Sequence, residues 1–285
     1  MANRSLMLIG PPDSGKSNYL GRLWEAIRGG SGSLKYIHAT DVEYLEDTLA
    51  HLLQGEFAPR SNKNIEESRQ DIILTVATPK SDSEVDIVVA DVTGELWKAA
   101  VATSELPAEW MERLEASSGA LLFLRVHSEE NVQPLDWVTS RALMRFTGNA
   151  PGTEALLPTQ VLLSELLRFL QLKLQTRPDG SLPRVSIVVT AWDRLDPEQG
   201  ALSPFAFIQS QFPLFAGRLQ NIEGLHVRIF GVSIVGGDLD CDENFKKEFC
   251  EGDLRTSGYT VLEVNGKAVR DPDLTLPVSW LVEIS

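Results

Sequence analysis

The sequence predicts an α/β fold, a three-layer sandwich in which helices cover both faces of a mostly parallel sheet with one antiparallel strand. Three observations predict it. An apolar run, Ser5 to Gly10 (SLMLIG), leads through a Gly- and Pro-containing loop into a helical pattern. Two β-rich runs, Asp71 to Ala77 and Val85 to Ala90, are joined by a polar connection too short for a crossover helix, so they pair as an antiparallel hairpin. Three later runs, Ala120 to Val126, Arg184 to Val189 and Leu225 to Val232, are separated by helical patterns, the alternation that builds parallel strands.

The remaining elements follow in chain order. The first helix carries Tyr19, Leu20, Leu23, Trp24 and Ile27 at helical spacing, and the GGSGS stretch at Gly29 to Ser33 ends it. Val42 to Leu53 reads as a second helix with Leu45, Leu49, Leu52 and Leu53 on one side, and Gly55 to Glu67 as an exposed loop. A helical insertion is expected over 128–183, with a leucine-rich amphipathic stretch from Val161 to Leu174 whose apolar face either packs on the sheet or binds a partner. A second insertion, 236–276, contains VLEVNGKAVRD, where Asn265-Gly266 marks a hairpin turn. Pro277 to Ser285 reads as a closing helix. The 285 residues are read as one elaborated domain.

Composition narrows the function. A net charge of −14 disfavours nucleic-acid backbones and anionic membrane surfaces, so any phosphate ligand needs a local site. No apolar run reaches the roughly 18 residues of a membrane span. Cys241 and Cys250 either pair or remain free thiols in a reducing compartment, and without a secretory leader before them the expected setting is cytoplasmic.

The local site is legible. GPPDSGKS, Gly10 to Ser17, matches GxxxxGK[ST] at every specified position and sits between a predicted strand and helix, as a P-loop NTPase requires. Gly10 and Gly15 let the backbone wrap with its N–H groups inward, and Asp13, Ser14, Gly15, Lys16, Ser17 and Asn18 border the phosphates at the positive end of the helix. Lys16 is placed to reach the β- and γ-phosphates and the Ser17 hydroxyl to ligate Mg²⁺. DVTGE, Asp91 to Glu95, follows the third strand: Asp91 is placed to hold Mg²⁺ through water, and the Gly94 N–H to meet the γ-phosphate, unless the pair is only a capping aspartate and a turn glycine. TAWD, Thr190 to Asp193, follows the fifth strand. The Asp193 carboxylate there either accepts from the guanine N1–H and amine, which adenine does not match, or caps the next helix.

This order of motifs resembles the translation-factor-related (TRAFAC) class of Ras-like P-loop GTPases. GPPDSGKS is the phosphate loop, DVTGE the switch II motif, TAWD stands for [NT]KxD, and GVSIVG places Ser233 where a backbone N–H meets the guanine carbonyl. Within the class, GEFAPRS at Gly55 to Ser61, the long helical segment before it and LPVSW at Leu276 to Trp280 are similar to the double-GTPase families of bacterial conflict systems. The resemblance implies GTP/GDP and Mg²⁺ as cofactors, Ser61 as the switch I metal ligand, and a protein effector or activating partner, a second GTPase among the candidates. Lys16, Gly94 and Glu95 become the catalytic candidates. Departures from the class are Ala191 for the lysine that covers the base, a surface left to Arg194 or Trp192, Ile234 after Ser233, and Glu95 for the glutamine that orients water. The expected function is a GTP-binding switch with slow hydrolysis. A non-hydrolysing nucleotide-binding module and an ATPase stand as the alternatives.

Overall fold

The computed structural model describes residues 4–40, 42–59, 72–78, 81–91, 94–134 and 157–283. Its interior strands are β1 (Arg4–Ile9), β4 (Ser81–Asp91), β5 (Ser117–Arg125), β6 (Arg184–Thr190) and β7 (His226–Ser233). They run parallel in the order β4-β1-β5-β6-β7. Strand β3 (Ile72–Thr78) pairs antiparallel with β4, which is the expected hairpin, and β2 (Lys35–Thr40) pairs antiparallel with β3 at the edge. The VNGK hairpin, β8 (Tyr259–Val264) and β9 (Lys267–Asp271), does not stand apart as an insertion but continues the sheet beyond β7. The described residues thus form a nine-stranded sheet in which β3 and β8 run against the others.

Side-chain alternation along β1 explains the three layers. Met7 and Ile9 join one core with Leu122, Leu124, Trp97 and Phe215, while Leu6 and Leu8 join the other with Tyr19, Trp24, Leu121 and Phe123. The first core is roofed by α3 (Gly94–Thr103), α4 (Ala108–Glu115), α5 (Thr159–Lys173), α7 (Pro204–Gln211) and α8 (Pro213–Gln220), the last two preceded by the short α6 (Pro197–Gly200). The second is roofed by α1 (Lys16–Gly29), α2 (Glu43–Leu53) and α10 (Leu276–Val282). Helix α9 (Glu243–Glu251) packs Phe249 beside Leu52, Val235 and Leu239.

The leucine-rich stretch packs on the sheet: Leu162, Leu163, Leu166, Leu167 and Leu170 of α5 are buried in the first core, although Leu172 is exposed. On α2 the expected stripe holds for Leu45 and Leu52, but Leu53 is 55% exposed because helical spacing turns it away from the sheet. Gly55, expected in an exposed loop, is buried; its φ of +70° and a Cβ position 2.9 Å from the Cys250 Sγ both favour glycine. Helix α1 ends at Gly30, whose left-handed conformation lets its N–H reach the carbonyls of Ala26 and Ile27.

Buried arginines fasten the periphery to this core. Arg22 of α1, 1% exposed, donates to the carbonyls of Ile234, Leu254 and Ser257 and pairs with Glu25; loss of water lowers its pKa, against which Glu25 works. Arg177 donates to the carbonyls of Leu281 and Glu283, and Arg184 to those of Trp280 and Glu283, so both hold the last turn of α10.

Candidate functional site

Because β1, β4, β5, β6 and β7 are parallel, their carboxyl ends face the same way, and the residues that follow them meet in one cleft. Its walls include Asp13 to Asn18, Phe57 to Pro59, Gly94, Glu95, Arg125, Ala191, Asp193, Arg194, Ile234, Val235 and Leu239. Nearly every motif singled out in the sequence opens onto this space.

At the phosphate end, close packing dictates the glycines. A Cβ on Gly10 would stand 2.8 Å from the Phe123 carbonyl oxygen; Gly15, at φ +83°, would meet the Thr190 Oγ1 at 3.0 Å. Only 7% of Lys16 is exposed, and its ammonium donates to the carbonyls of Gly10 and Pro11, each at 3.1 Å, and to the Ser14 Oγ at 3.3 Å. The ammonium thereby closes the loop around the place where anions would sit. Ser17 lines the cleft, and the Asn18 Oδ1 accepts from the Ala58 N–H at 2.9 Å, which pins the Phe57 to Pro59 rim to α1.

A hard dication takes oxygen ligands. Ser17 provides a hydroxyl in the cleft, and Asp91 ends β4 in register with Leu8 of β1, at the same end of the sheet as the loop. The Ser17 hydroxyl is a ligand of the kind that suits Mg²⁺. Ser61 lies outside the described residues.

Gly94 opens α3 directly against the phosphate loop, where a Cβ would lie 2.1 Å from the Pro12 nitrogen and 2.4 Å from the Pro11 carbonyl carbon. These are main-chain atoms that cannot rotate away. Gly94→Ala is therefore expected to lower stability by about 1–3 kcal/mol and to push the start of α3 outward. Since Trp97 is fully buried one turn later, its emission should shift, and unchanged emission and melting temperature would show that the contact is not held in solution. The neighbouring Glu95 is exposed and borders the cleft.

At the other end the Thr190 hydroxyl donates to the Ser14 carbonyl at 2.9 Å, tying the TAWD motif to the phosphate loop. Ala191 adopts a left-handed conformation, φ 58°, and the chain turns there into a short 3₁₀ segment, Trp192–Arg194. Trp192 then points into the core against Gly231 and Phe207, whereas Arg194 turns to the cleft, held by Asp238 at 3.0 Å and Asp240 at 3.4 Å. Of the two residues left to replace the missing lysine stem, the geometry leaves Arg194. Among the described residues Asp193 caps no helix. That task belongs to Asp196, which accepts from the Gln199 N–H at the start of α6.

Asp193 is half-buried and faces the cleft. Loss of water pushes its pKa above the usual carboxylate range, opposed by a hydrogen bond from the Ser233 hydroxyl. Ser233 itself is wholly buried behind the wall, and its Oγ accepts from the Gly236 N–H at 2.8 Å. A hydroxyl has one proton, so accepting from Gly236 leaves that proton for Asp193. The wall beside it is apolar, built from Ile234, Val235 and Leu239, with Phe57 packed against the same cluster. Such a slot can cover a flat ring while the carboxylate pairs with donors on the ring's edge. Val235, Leu239 and Arg125 escaped the sequence reading; the signal that could have found the wall is the apolar pair directly after Ser233, where a strand ends at the cleft.

A model of the family described as Double-GTPase 1 matches residues 7–281. Comparison with curated proteins returns no match. Among solved structures, the chain is similar to a bacterial selenocysteine-specific elongation factor at 15% identity and a TM-score of 0.38, over 90% of this chain and 30% of that one. The signal recognition particle receptor SRb-GTP/SRX complex from Chaetomium thermophilum matches at 12% identity and 0.38, over 87% and 98% of the two chains. The Methanosarcina barkeri Roco2 RocCORdC structure bound to GDP matches at 13% identity and 0.31, over 95% and 52%. The chain spans less than a third of the elongation factor it matches. Among the described residues no helix is long and apolar enough to cross a membrane.

Proposed function

Because the chain belongs to the Double-GTPase 1 family, we propose that it is a GTP-binding switch that holds GTP or GDP with Mg²⁺ and hydrolyses GTP slowly under the control of a protein partner. The observation that carries this reading is the convergence of residues from GPPDSGKS, DVTGE and TAWD on one cleft. In this reading the main-chain N–H groups of Asp13 to Asn18 and the Lys16 ammonium hold the phosphates, Ser17 and Asp91 hold Mg²⁺, and Asp193 accepts from the guanine edge. Mg²⁺ would neutralise charge on the phosphates. Ser61 remains the proposed switch I ligand. The 285 residues act as one domain, and the free, exposed Cys241 and Cys250 accord with a reducing cytoplasm.

Slow turnover follows from Glu95. A glutamine can donate to and accept from an attacking water at once, whereas an ionised glutamate only accepts and adds repulsion toward the γ-phosphate. The test is to denature the purified protein, identify any released nucleotide by chromatography, and follow single-turnover GTP hydrolysis in wild type and Glu95→Gln. The variant is expected to hydrolyse GTP at an equal or faster rate. A large loss with GTP affinity unchanged would make Glu95 the catalytic base and overturn the slow switch. The exposed carboxylate at the cleft also favours a second reading, a binding module without turnover, for which neither protein would hydrolyse GTP.

A further inference from the structure

Three cationic side chains line the cleft among the described residues: Lys16, Arg194 and Arg125. The first closes the phosphate loop and the second stands at the base end. Arg125, the last residue of β5, has no place in the reading so far. Its Nη1 donates to the Asp13 Oδ1 at 2.5 Å, and the Ser128 hydroxyl donates to the other oxygen, Oδ2, at 2.8 Å.

Asp13 is an unusual occupant of its position. It lies within the phosphate loop at φ 57°, a left-handed conformation that few side chains adopt, and it places a carboxylate at the mouth of an anion site. A triphosphate entering that site brings several negative charges to within a few ångströms of it. The carboxylate is tolerable there because Arg125 pairs with it. The main chain of Arg125 is fixed, its carbonyl accepting from Asn131 at 3.0 Å and the next N–H donating to Thr190 at 3.1 Å. The side chain is 31% exposed, and a guanidinium has five N–H donors in a flat fork suited to phosphate.

We propose that Arg125 is a ligand of the nucleotide's phosphate chain, supplied from within the chain and held in reserve by Asp13, which occupies the guanidinium as a phosphate would until nucleotide enters. The inference rests on the proposed GTP binding. On entry the guanidinium turns from the carboxylate to phosphate oxygens, while Ser128 keeps its hydrogen bond to Asp13. Arg125 therefore strengthens triphosphate binding, and Asp13 weakens it by competing.

A double-variant cycle separates this from simple charge neutralisation of Asp13. Binding of GDP and of a non-hydrolysable GTP analogue with Mg²⁺ is measured by calorimetry on the full chain for wild type, Asp13→Asn, Arg125→Gln and the pair combined, with thermal melting to confirm folding. If Arg125 is a phosphate ligand, Asp13→Asn binds the analogue as tightly as wild type or tighter, Arg125→Gln loses roughly ten- to a hundredfold, and the combined variant, relieved of the uncovered carboxylate, regains only part of that loss. Arg125→Lys, which keeps the charge without the fork, is expected to recover only part of that loss. Recovery of the combined variant to the affinity of Asp13→Asn would show that the arginine only offsets the aspartate and would overturn the inference. An Arg125→Gln variant as tight as wild type would overturn it while leaving GTP binding intact, whereas a wild-type protein that binds neither nucleotide removes the reading and the inference together.

Discussion

Lys16→Ala is expected to lower triphosphate affinity at least a hundredfold or so, the largest single loss anywhere in the cleft. The ammonium is where the negative charge of the β- and γ-phosphates would concentrate, because it is folded against the loop's own carbonyls. The side chain also has a structural share. It satisfies two carbonyls and the Ser14 hydroxyl, and removing it leaves three acceptors without their donor, a cost of about 1–3 kcal/mol spread over the loop. The variant should therefore fold with a modestly lower melting temperature and bind no GTP measurable by calorimetry. Binding at wild-type affinity would remove the phosphate-site assignment.

Asp193→Asn should exchange one base for another. The carboxylate offers two acceptors to the guanine N1–H and amine; the amide keeps one acceptor and presents donors, which suit the extra oxygen of xanthine. GTP affinity should fall by roughly a hundredfold or more, with xanthosine triphosphate improving, and competition binding reads both. Melting temperature should move the other way. Burial raises the pKa of Asp193 in the folded protein, so ionising it opposes folding: the penalty is absent below the pKa of the unfolded chain, grows as pH rises through that value, and is complete above the folded one. At neutral pH the amide removes this penalty, and the nucleotide-free variant should be at least as stable as wild type. An unchanged preference for GTP, or a wild-type preference for ATP, would take Asp193 out of the base site.

What the sequence revealed, and what it hid, divides along physical lines. The phosphate loop was legible because wrapping main chain around phosphate demands glycines and a lysine at fixed spacing. The interior strands were legible because burial on both faces makes continuous apolar runs. Edge strand β2, KYIHAT, was not: it is exposed along most of its length, so neither a run nor an alternation marks it. The hairpin at Asn265-Gly266 announced its turn but not its docking beside β7, which depends on three residue pairs between distant segments, Gly231 to Ser233 with Tyr259 to Val261. In the site, TAWD gave Asp193 but could not say which neighbour of Ala191 faces the cleft. That choice depends on the left-handed turn at Ala191, which sends Trp192 inward and Arg194 outward. The Arg125–Asp13 contact joins residues 112 apart, and no local pattern foreshadows it.

The arginines that fasten the periphery carry one more consequence. Arg22, Arg177 and Arg184 hold their segments chiefly by main-chain carbonyls, at Ile234, Leu254, Ser257, Trp280, Leu281 and Glu283. Every amino acid supplies a carbonyl. The segment between β7 and β8 can therefore exchange its outward side chains, and with them whatever surface it presents, without loosening its attachment to the helix that carries the phosphate loop. Such an anchor is indifferent to spelling, and a scaffold built on anchors of this kind can diversify at its rim while its nucleotide cleft stays as it is.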